Sequence, residues 1–242
     1  MLTGGAGYIG AHVARALRSA GYPVVILDDL SAGSADRVAD FRLIQASVLD
    51  SPQVTAAHLL EHDVSGIVHL AAKKSVPESL TTPHQYYEVN VVGTLRLMEA
   101  AVLAGVTQMI YSSSAAVYGT GHERPITEDD GTDPTNPYGE SKLAGEWIVR
   151  RMAEASGMAW TVLRYFNVAG CANGVRADDA APNLVPSAIS HVMHDIAVPC
   201  SGPTGRPRTA LTYGTTCMSR TSQMHTAPPF GTRRKPGAAR GC

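Results

Sequence analysis

No Cys-x-x-Cys pair occurs in the 242 residues, and the four cysteines (Cys171, Cys200, Cys217 and Cys242) all fall late in the chain. That spacing offers no ligand set for zinc and no redox dithiol, and a reducing cytoplasm is the expected setting. Asp178 and Asp179 read as a loop without further ligands nearby, so no metal site is expected. No apolar run reaches the roughly 18 residues that a membrane-crossing helix needs. No signal peptide precedes the first motif. The formal net charge of −1 favours neither nucleic acid nor a membrane surface as partner. A more local absence is that of acid after residue 200. Residues 201–242 carry 7 of the 20 basic side chains and no Asp or Glu. This stretch is rich in Thr, Pro, Gly and Arg and has no sustained apolar period, so it reads as a disordered or poorly packed tail. A basic tail also suits an acidic partner, but few aromatics interleave it.

What is present begins at once. Thr3-Gly4-Gly5-Ala6-Gly7-Tyr8-Ile9-Gly10 sets glycines three apart at Gly4, Gly7 and Gly10. A helical period follows through Ile9, Val13, Ala16, Leu17 and Ala20, stopped by Gly21. The apolar run from Val24 to Leu27 then reads as a buried strand ending in Asp28. A glycine turn opening a helix brings backbone N–H groups to a pyrophosphate at the positive helix end. An acid at Asp28 suits the adenosine ribose hydroxyls and repels a 2′-phosphate, which favours NAD over NADP. A glycine-rich turn without ligand has the same spacing. Only two residues precede the turn, so the central strand of such a fold is expected to be truncated or missing.

Strand and helix signals alternate thereafter: strands over 41–48, 66–72, 108–112 and 160–165, helices over 54–61, 84–104 and 138–156. This alternation predicts an α/β fold, a doubly wound parallel sheet of Rossmann-like type, in which ligands sit beyond the carboxyl ends of the strands. Ser114, Asn167 and the Lys73-Lys74 pair fall just past such ends. Each also suits a turn or a solvated surface. Asn90, inside a helix, suits a bridge to a neighbouring loop. His69, in an apolar strand, reads as a packing residue, and Asn183 as a helix cap.

Tyr138 and Lys142 stand four apart at the start of the last helix, hence on one face. An ammonium beside a phenol favours the phenolate and fits the Tyr for general-base work on a hydroxyl. A solvated helix start has the same spacing.

Four motifs in order carry a resemblance: Thr3 to Gly10, Ser112-Ser113-Ser114-Ala115-Ala116-Val117-Tyr118-Gly119, Pro137 to Lys142, and Leu163-Arg164-Tyr165-Phe166-Asn167. Over residues 1 to about 200 the chain resembles the extended short-chain dehydrogenase/reductases, and within them the UDP-sugar 4-epimerases. Tyr86-Tyr87-Glu88-Val89-Asn90 and Gly93 fit that branch. Ser113-Ser114-Ala115 stands where related 4,6-dehydratases carry Thr-Asp-Glu. The resemblance implies a NAD-binding domain over 1–170, the start of a substrate-binding region over 171–200, and a C-terminal substrate domain that is incomplete. Gly4, Gly7, Tyr8, Ile9 and Gly10 would hold the pyrophosphate, Asp28 the ribose, and Val48 would flank the adenine. Leu70, Ala71, Ala72 and Lys74 would line the cofactor trough, with Asn90 and Ser112 beside it and Phe166 near the nicotinamide. Tyr138, Lys142 and Ser114 would be catalytic, with Lys142 bonding the nicotinamide ribose and lowering the Tyr138 pKa. Ser114, Tyr138, Asn167, Asn183 and Leu184 would meet the UDP-sugar. The implied reaction interconverts UDP-galactose and UDP-glucose through a 4-keto sugar with bound NAD recycled, in a protein that often forms homodimers.

Two departures stand out. Ser47 replaces an acid beside the adenine position. After residue 200 the family's Arg-Asp-Tyr-Ile-His-Val stretch and uridine pocket are not found, and the charge break there suggests a frameshift. These departures keep open a second reading, a NAD-binding module without turnover, and a third, another sugar-nucleotide epimerase or dehydratase.

Overall fold

The computed structural model describes residues 1–121 and 124–168, and the backbone of 218–221. The elements run β1 (Leu2–Thr3), α1 (Tyr8–Ser19), β2 (Val25–Asp28), a 3-10 turn (Ala35–Val38), β3 (Arg42–Gln45), α2 (Pro52–Glu61) and β4 (Gly66–His69). Then come α3 (Val76–Thr81), α4 (Pro83–Tyr86), a π-helical segment (Tyr87–Val92), α5 (Gly93–Leu103), β5 (Gln108–Ser114), a second 3-10 turn (Ala115–Tyr118), α6 (Pro137–Ser156), β6 (Ala159–Tyr165) and β7 (Met218–Thr221). The sheet order is β3-β2-β1-β4-β5-β6-β7. The first six strands pair in parallel and β7 pairs antiparallel to β6. Reversal of strand order beside β1 makes the doubly wound pattern, with its crevice at the carboxyl edge between β1 and β4.

The central strand is short rather than missing. Leu2 and Thr3 pair with Ile26 and Leu27 on one side and with Val68 and His69 on the other. Buried apolar runs explain why these segments lie in mid-sheet: Ile26, Leu27, Ile67, Val68, Met109 and Tyr111 are all buried. One core cluster joins Leu59, Ile67, Leu97, Met98, Met109 and Val149 under α2, α5 and α6. The other gathers Leu2, Ala11, Ala14, Ile26 and Val38 under α1.

Helix ends follow sequence chemistry. Ser51 and Asn136 cap α2 and α6 by accepting from Val54 N and Gly139 N, each followed by a Pro whose missing N–H costs nothing there. Gly157, at φ +72°, closes α6 in the left-handed conformation. The single helix read over 84–104 contains the π segment, with Asn90 inside it. Helix α3 was not read from the sequence, though Ser75-Val76-Pro77-Glu78 has the S-x-x-E capping spacing and Ser75 Oγ does accept from Glu78 N. Most of the proposed tail, the segment 171–200 and all four cysteines lie outside the described residues.

Candidate active site

The turn from β1 into α1 is a cradle built by the lack of side chains. Gly4 has φ +70°, and a Cβ there would stand 2.5 Å from Ala71 N on the loop after β4. A Cβ on Gly10 would stand 2.3 Å from Gly4 O. Gly7 is the N-cap of α1 and supplies no side-chain acceptor. The N-terminus of α1 thus opens toward the cradle without a side-chain cap, an arrangement suited to an anion. Asp28, at the end of β2, is buried and holds this turn: Oδ2 accepts from Ala6 N at 2.9 Å and Oδ1 from Leu30 N at 2.9 Å. Burial pushes the Asp28 carboxyl up, against the pull of the Leu30 and Ala6 N–H groups. Each oxygen keeps a lone pair for a hydroxyl. Val48 is buried against Gly93, and Ser47 gives its N–H to Asp50 Oδ2 at 2.9 Å. The cradle fits a dinucleotide: it is Cβ-free, ends at a helix N-terminus, and has an acid at its flank.

Across the crevice, Leu70, Ala71 and Ala72 are half-buried and Lys74 is exposed. Asn90 fixes this loop. Its Oδ1 accepts from Lys73 N at 2.8 Å, while Nδ2 donates to Lys73 O at 3.0 Å and to Ser141 Oγ at 2.9 Å. Asn90 thus bridges loop and α6, as the helix-to-loop reading anticipated. Lys73 pairs with Glu78 at 2.7 Å. His69 is a packing residue with a definite tautomer. Thr94 Oγ1 donates to Asn90 O at 2.6 Å, so it accepts from His69 Nε2 at 3.1 Å. Nδ1 then accepts from Thr3 Oγ1 at 2.7 Å. Burial, helped by the Lys142 charge, lowers the imidazole pKa to about 3, so His69 is neutral.

Ser112, Ser114, Tyr138 and Lys142 meet at the end of β5. Lys142 is buried, and its Nζ donates to Ser112 O at 2.9 Å and lies 5.3 Å from the centre of the Tyr111 ring. The Ser114 side chain adjoins the Tyr138 phenol. Ser114 Oγ accepts from Ala116 N at 3.1 Å, which leaves its own proton to donate. Burial lowers the Lys142 ammonium pKa to about 8, opposed by Glu146. Burial pushes the Tyr138 phenol up, and the Ser114 side chain pulls it down. Ser114 thus works against the effect of burial on the Tyr138 phenol. Tyr86 packs edge-on to Tyr138 at 6.4 Å and is anchored by Ser75 O at 2.7 Å and Glu78 Oε2 at 2.9 Å.

Phe166 is half-buried and Asn167 exposed just past β6, at the same edge. Asn183 and Leu184 lie outside the described residues. The motifs contain Tyr86 and Ser141 but give them no role, and Glu78 and Glu146 stand outside them. Glu146 had a readable signal, the four-residue step Tyr138, Lys142, Glu146. Among the described residues no three His, Cys, Asp or Glu gather as a metal site, and no helix is long and apolar enough to cross a membrane.

The model of the NAD dependent epimerase/dehydratase family matches residues 1–215. A UDP-glucose 4-epimerase of Azospirillum brasilense is 39% identical over 216 residues, covering 89% of this chain and 60% of that one. One from Corynebacterium glutamicum is 42% identical over 188 residues, covering 77% and 56%. Among solved structures, UDP-glucose 4-epimerase from Brucella ovis in complex with NAD superposes with a TM-score of 0.71 at 34% identity, covering 74% of this chain and 56% of that one. The chain thus spans 60% or less of the length of these relatives. With the glycine cradle, Asp28 and the Tyr138–Lys142 pair in one crevice, it belongs to the NAD dependent epimerase/dehydratase family.

Proposed function

We propose that the chain interconverts UDP-galactose and UDP-glucose, a step of galactose metabolism, by reversible oxidation at sugar C4 with NAD held in the glycine cradle. The observation that carries this reading is the gathering of Ser114, Tyr138 and buried Lys142 at the end of β5, the sheet edge that also carries the cradle, with Lys142 Nζ held by the Ser112 carbonyl. Bound NAD supplies the oxidant at C4 and takes back its original state within each turnover. Gly4, Gly7, Gly10, Tyr8 and Ile9 hold its pyrophosphate, Asp28 its adenosine ribose, and Val48 its adenine. Leu70, Ala71, Ala72, Lys74, Asn90 and Ser112 line its trough, and Phe166 packs by the nicotinamide.

Tyr138 takes the proton of the sugar 4-hydroxyl as general base. Ser114 sits between phenol and substrate and passes the proton, since Ala116 N–H occupies its acceptor side. Lys142 keeps positive charge near the phenolate and swings from the Ser112 carbonyl to the cofactor ribose. Asn167, with Asn183 and Leu184, contacts the UDP-sugar. The diphosphate end supplies binding energy remote from C4, which lets the 4-keto ring turn and present its other face. Ser114 favours epimerisation over water elimination, because no carboxyl group stands at Ser113, Ser114 or Ala115.

The cytoplasmic setting and a homodimer belong to the same proposal. Leu95, Val102 and Leu103 on α5 and Trp147 on α6 are exposed, Trp147 at 55%, and supply an apolar face for a second copy. Sedimentation of Trp147→Glu against the parent chain tests that contact, and an unchanged dimer tells against it. The reaction is tested by converting UDP-galactose with the purified 242-residue chain and added NAD, with Tyr138→Phe alongside. Turnover that vanishes in the variant supports epimerisation. NAD bound without turnover in the parent chain favours the non-catalytic module.

A further inference from the structure

We infer that Glu146 is a positioning residue, which fixes where α6 stands over the ends of β5 and β6 and so sets the Tyr138–Ser114 and Lys142–Ser112 contacts. The inference rests on the reaction proposed above. Tyr138, Lys142 and Glu146 follow one another at four-residue steps on α6, hence on one face. Two of the three have roles in the proposed chemistry, and the third, Glu146, is buried.

The Glu146 partners explain its burial. Oε1 accepts from Arg164 Nε at 2.9 Å and Oε2 from Arg164 Nη2 at 2.7 Å, a two-pronged pairing with both side chains only 10% exposed. Oε1 also accepts from Ser113 Oγ. Ser113 and Arg164 are themselves paired across β5 and β6. A single carboxylate thus pins the helix to one rung of the sheet. That rung lies between Ser112, whose carbonyl holds Lys142, and Ser114, whose side chain adjoins Tyr138 and accepts from Ala116 N. The Arg164 guanidinium is in turn held 4.7 Å over the Tyr118 ring, in the 3-10 turn that follows Ser114.

Buried ion pairs add little net stability but are suited to fixing one arrangement among near neighbours. The planar guanidinium fork fixes direction as well as distance. Among the described residues, the titratable groups that face Lys142 are Glu146 from its own helix, neutral His69 from β4 and the Tyr111 phenol from β5. Glu146 is the one carboxylate among them, and it favours the charged lysine.

The test compares Glu146→Gln and Ser113→Ala with the parent chain. Thermal unfolding reports folding, carbon-13-labelled lysine NMR follows the titration of Lys142 (assigned with Lys142→Met), and steady-state assays separate kcat from KM. In folded Glu146→Gln the Lys142 titration moves to lower pH. There kcat falls by about tenfold or more with KM for UDP-galactose nearly constant, the penalty of a slightly misplaced catalytic group. A folded variant with parental titration and parental kcat overturns the inference. If Glu146→Gln does not fold, Ser113→Ala keeps the ion pair and carries the test. A displaced Lys142 titration or a lowered kcat at parental melting temperature then supports the inference, and parental values of both overturn it. Absence of turnover in the parent tells against the proposed reaction alone, and the lysine titration then decides this one.

Discussion

Asn90 holds Lys73 by both of its backbone polar atoms, accepting from N at 2.8 Å and donating to O at 3.0 Å. A side-chain amide here does the work of a neighbouring strand, and extends sheet-like order from β4 into the loop beside the glycine cradle. The π segment is what aims Asn90 this way, since one extra residue per turn rotates the following side chains relative to an α-helix. Asn90→Leu leaves the Lys73 N–H and C=O without their partner. The expected cost is about 1–3 kcal/mol in urea unfolding, with weaker NAD binding by fluorescence titration. Retained NAD affinity in the variant would show that the loop holds its shape without this brace.

The cradle glycines differ in why they must be glycine. At Gly10 a Cβ would meet Gly4 O at 2.3 Å, and backbone cannot yield as a flexible side chain can. At Gly131 a Cβ would meet nothing within 4 Å. Gly10→Ala is expected to abolish NAD binding by calorimetry, while Gly131→Ala binds as the parent does. Equal affinity in the two variants would sink the cradle assignment.

Gly145 lies one residue before Glu146 and under Tyr111. A Cβ there would be 2.0 Å from the Tyr111 hydroxyl and 2.6 Å from its Cζ. Gly145→Ala therefore pushes α6 away from β5 and is expected to cost about 1–3 kcal/mol in overpacking strain. Tyr111→Phe does not rescue it, because the ring carbon clashes as well. A Gly145→Ala chain with parental stability in urea would mean that α6 and β5 sit farther apart than described.

Acid stability follows from His69. Its folded-state pKa is about 3 against an ordinary 6.5. The unfolded chain takes up the proton as pH falls below 6.5 and the folded chain does not. The stability is therefore fully present above pH 6.5 and drains away toward pH 3, at about 1.4 kcal/mol per pH unit. Asp28, whose carboxyl is pushed up in the fold, acts in the opposite sense, losing stability as pH rises. The comparison with His69→Gln isolates the histidine: its unfolding free energy should be flatter than the parent's between pH 6 and 5. Parallel curves would contradict a buried neutral imidazole.

Much of this was legible in the residues, for physical reasons that can be named. Glycine spacing at Gly4, Gly7 and Gly10 reports a backbone that admits no Cβ, and the Tyr138–Lys142 step reports a helix face. Buried strands announced themselves by apolar runs such as Val24 to Leu27. The π segment left no such trace, because Tyr87 to Val92 has the composition of any helix. Glu146, Ser113 and Arg164 belong to three separate elements, so their cluster exists only once the sheet is assembled. The Ser112 carbonyl as the partner of Lys142 likewise exists only after assembly, since β5 and α6 are far apart in the chain.

The two-residue β1 has a consequence for how the molecule opens. It is the sole strand joining β2 and β3 to β4, β5 and β6, with two paired positions on each flank. Among the described residues only these short pairings cross that seam, so the sheet is expected to open there as two units with separate free energies. Amide exchange over β2 and β3 then reports one unit and exchange over β5 and α6 the other. A dinucleotide laid from Asp28 to Lys142 spans the seam, and its binding would fuse the two units into one.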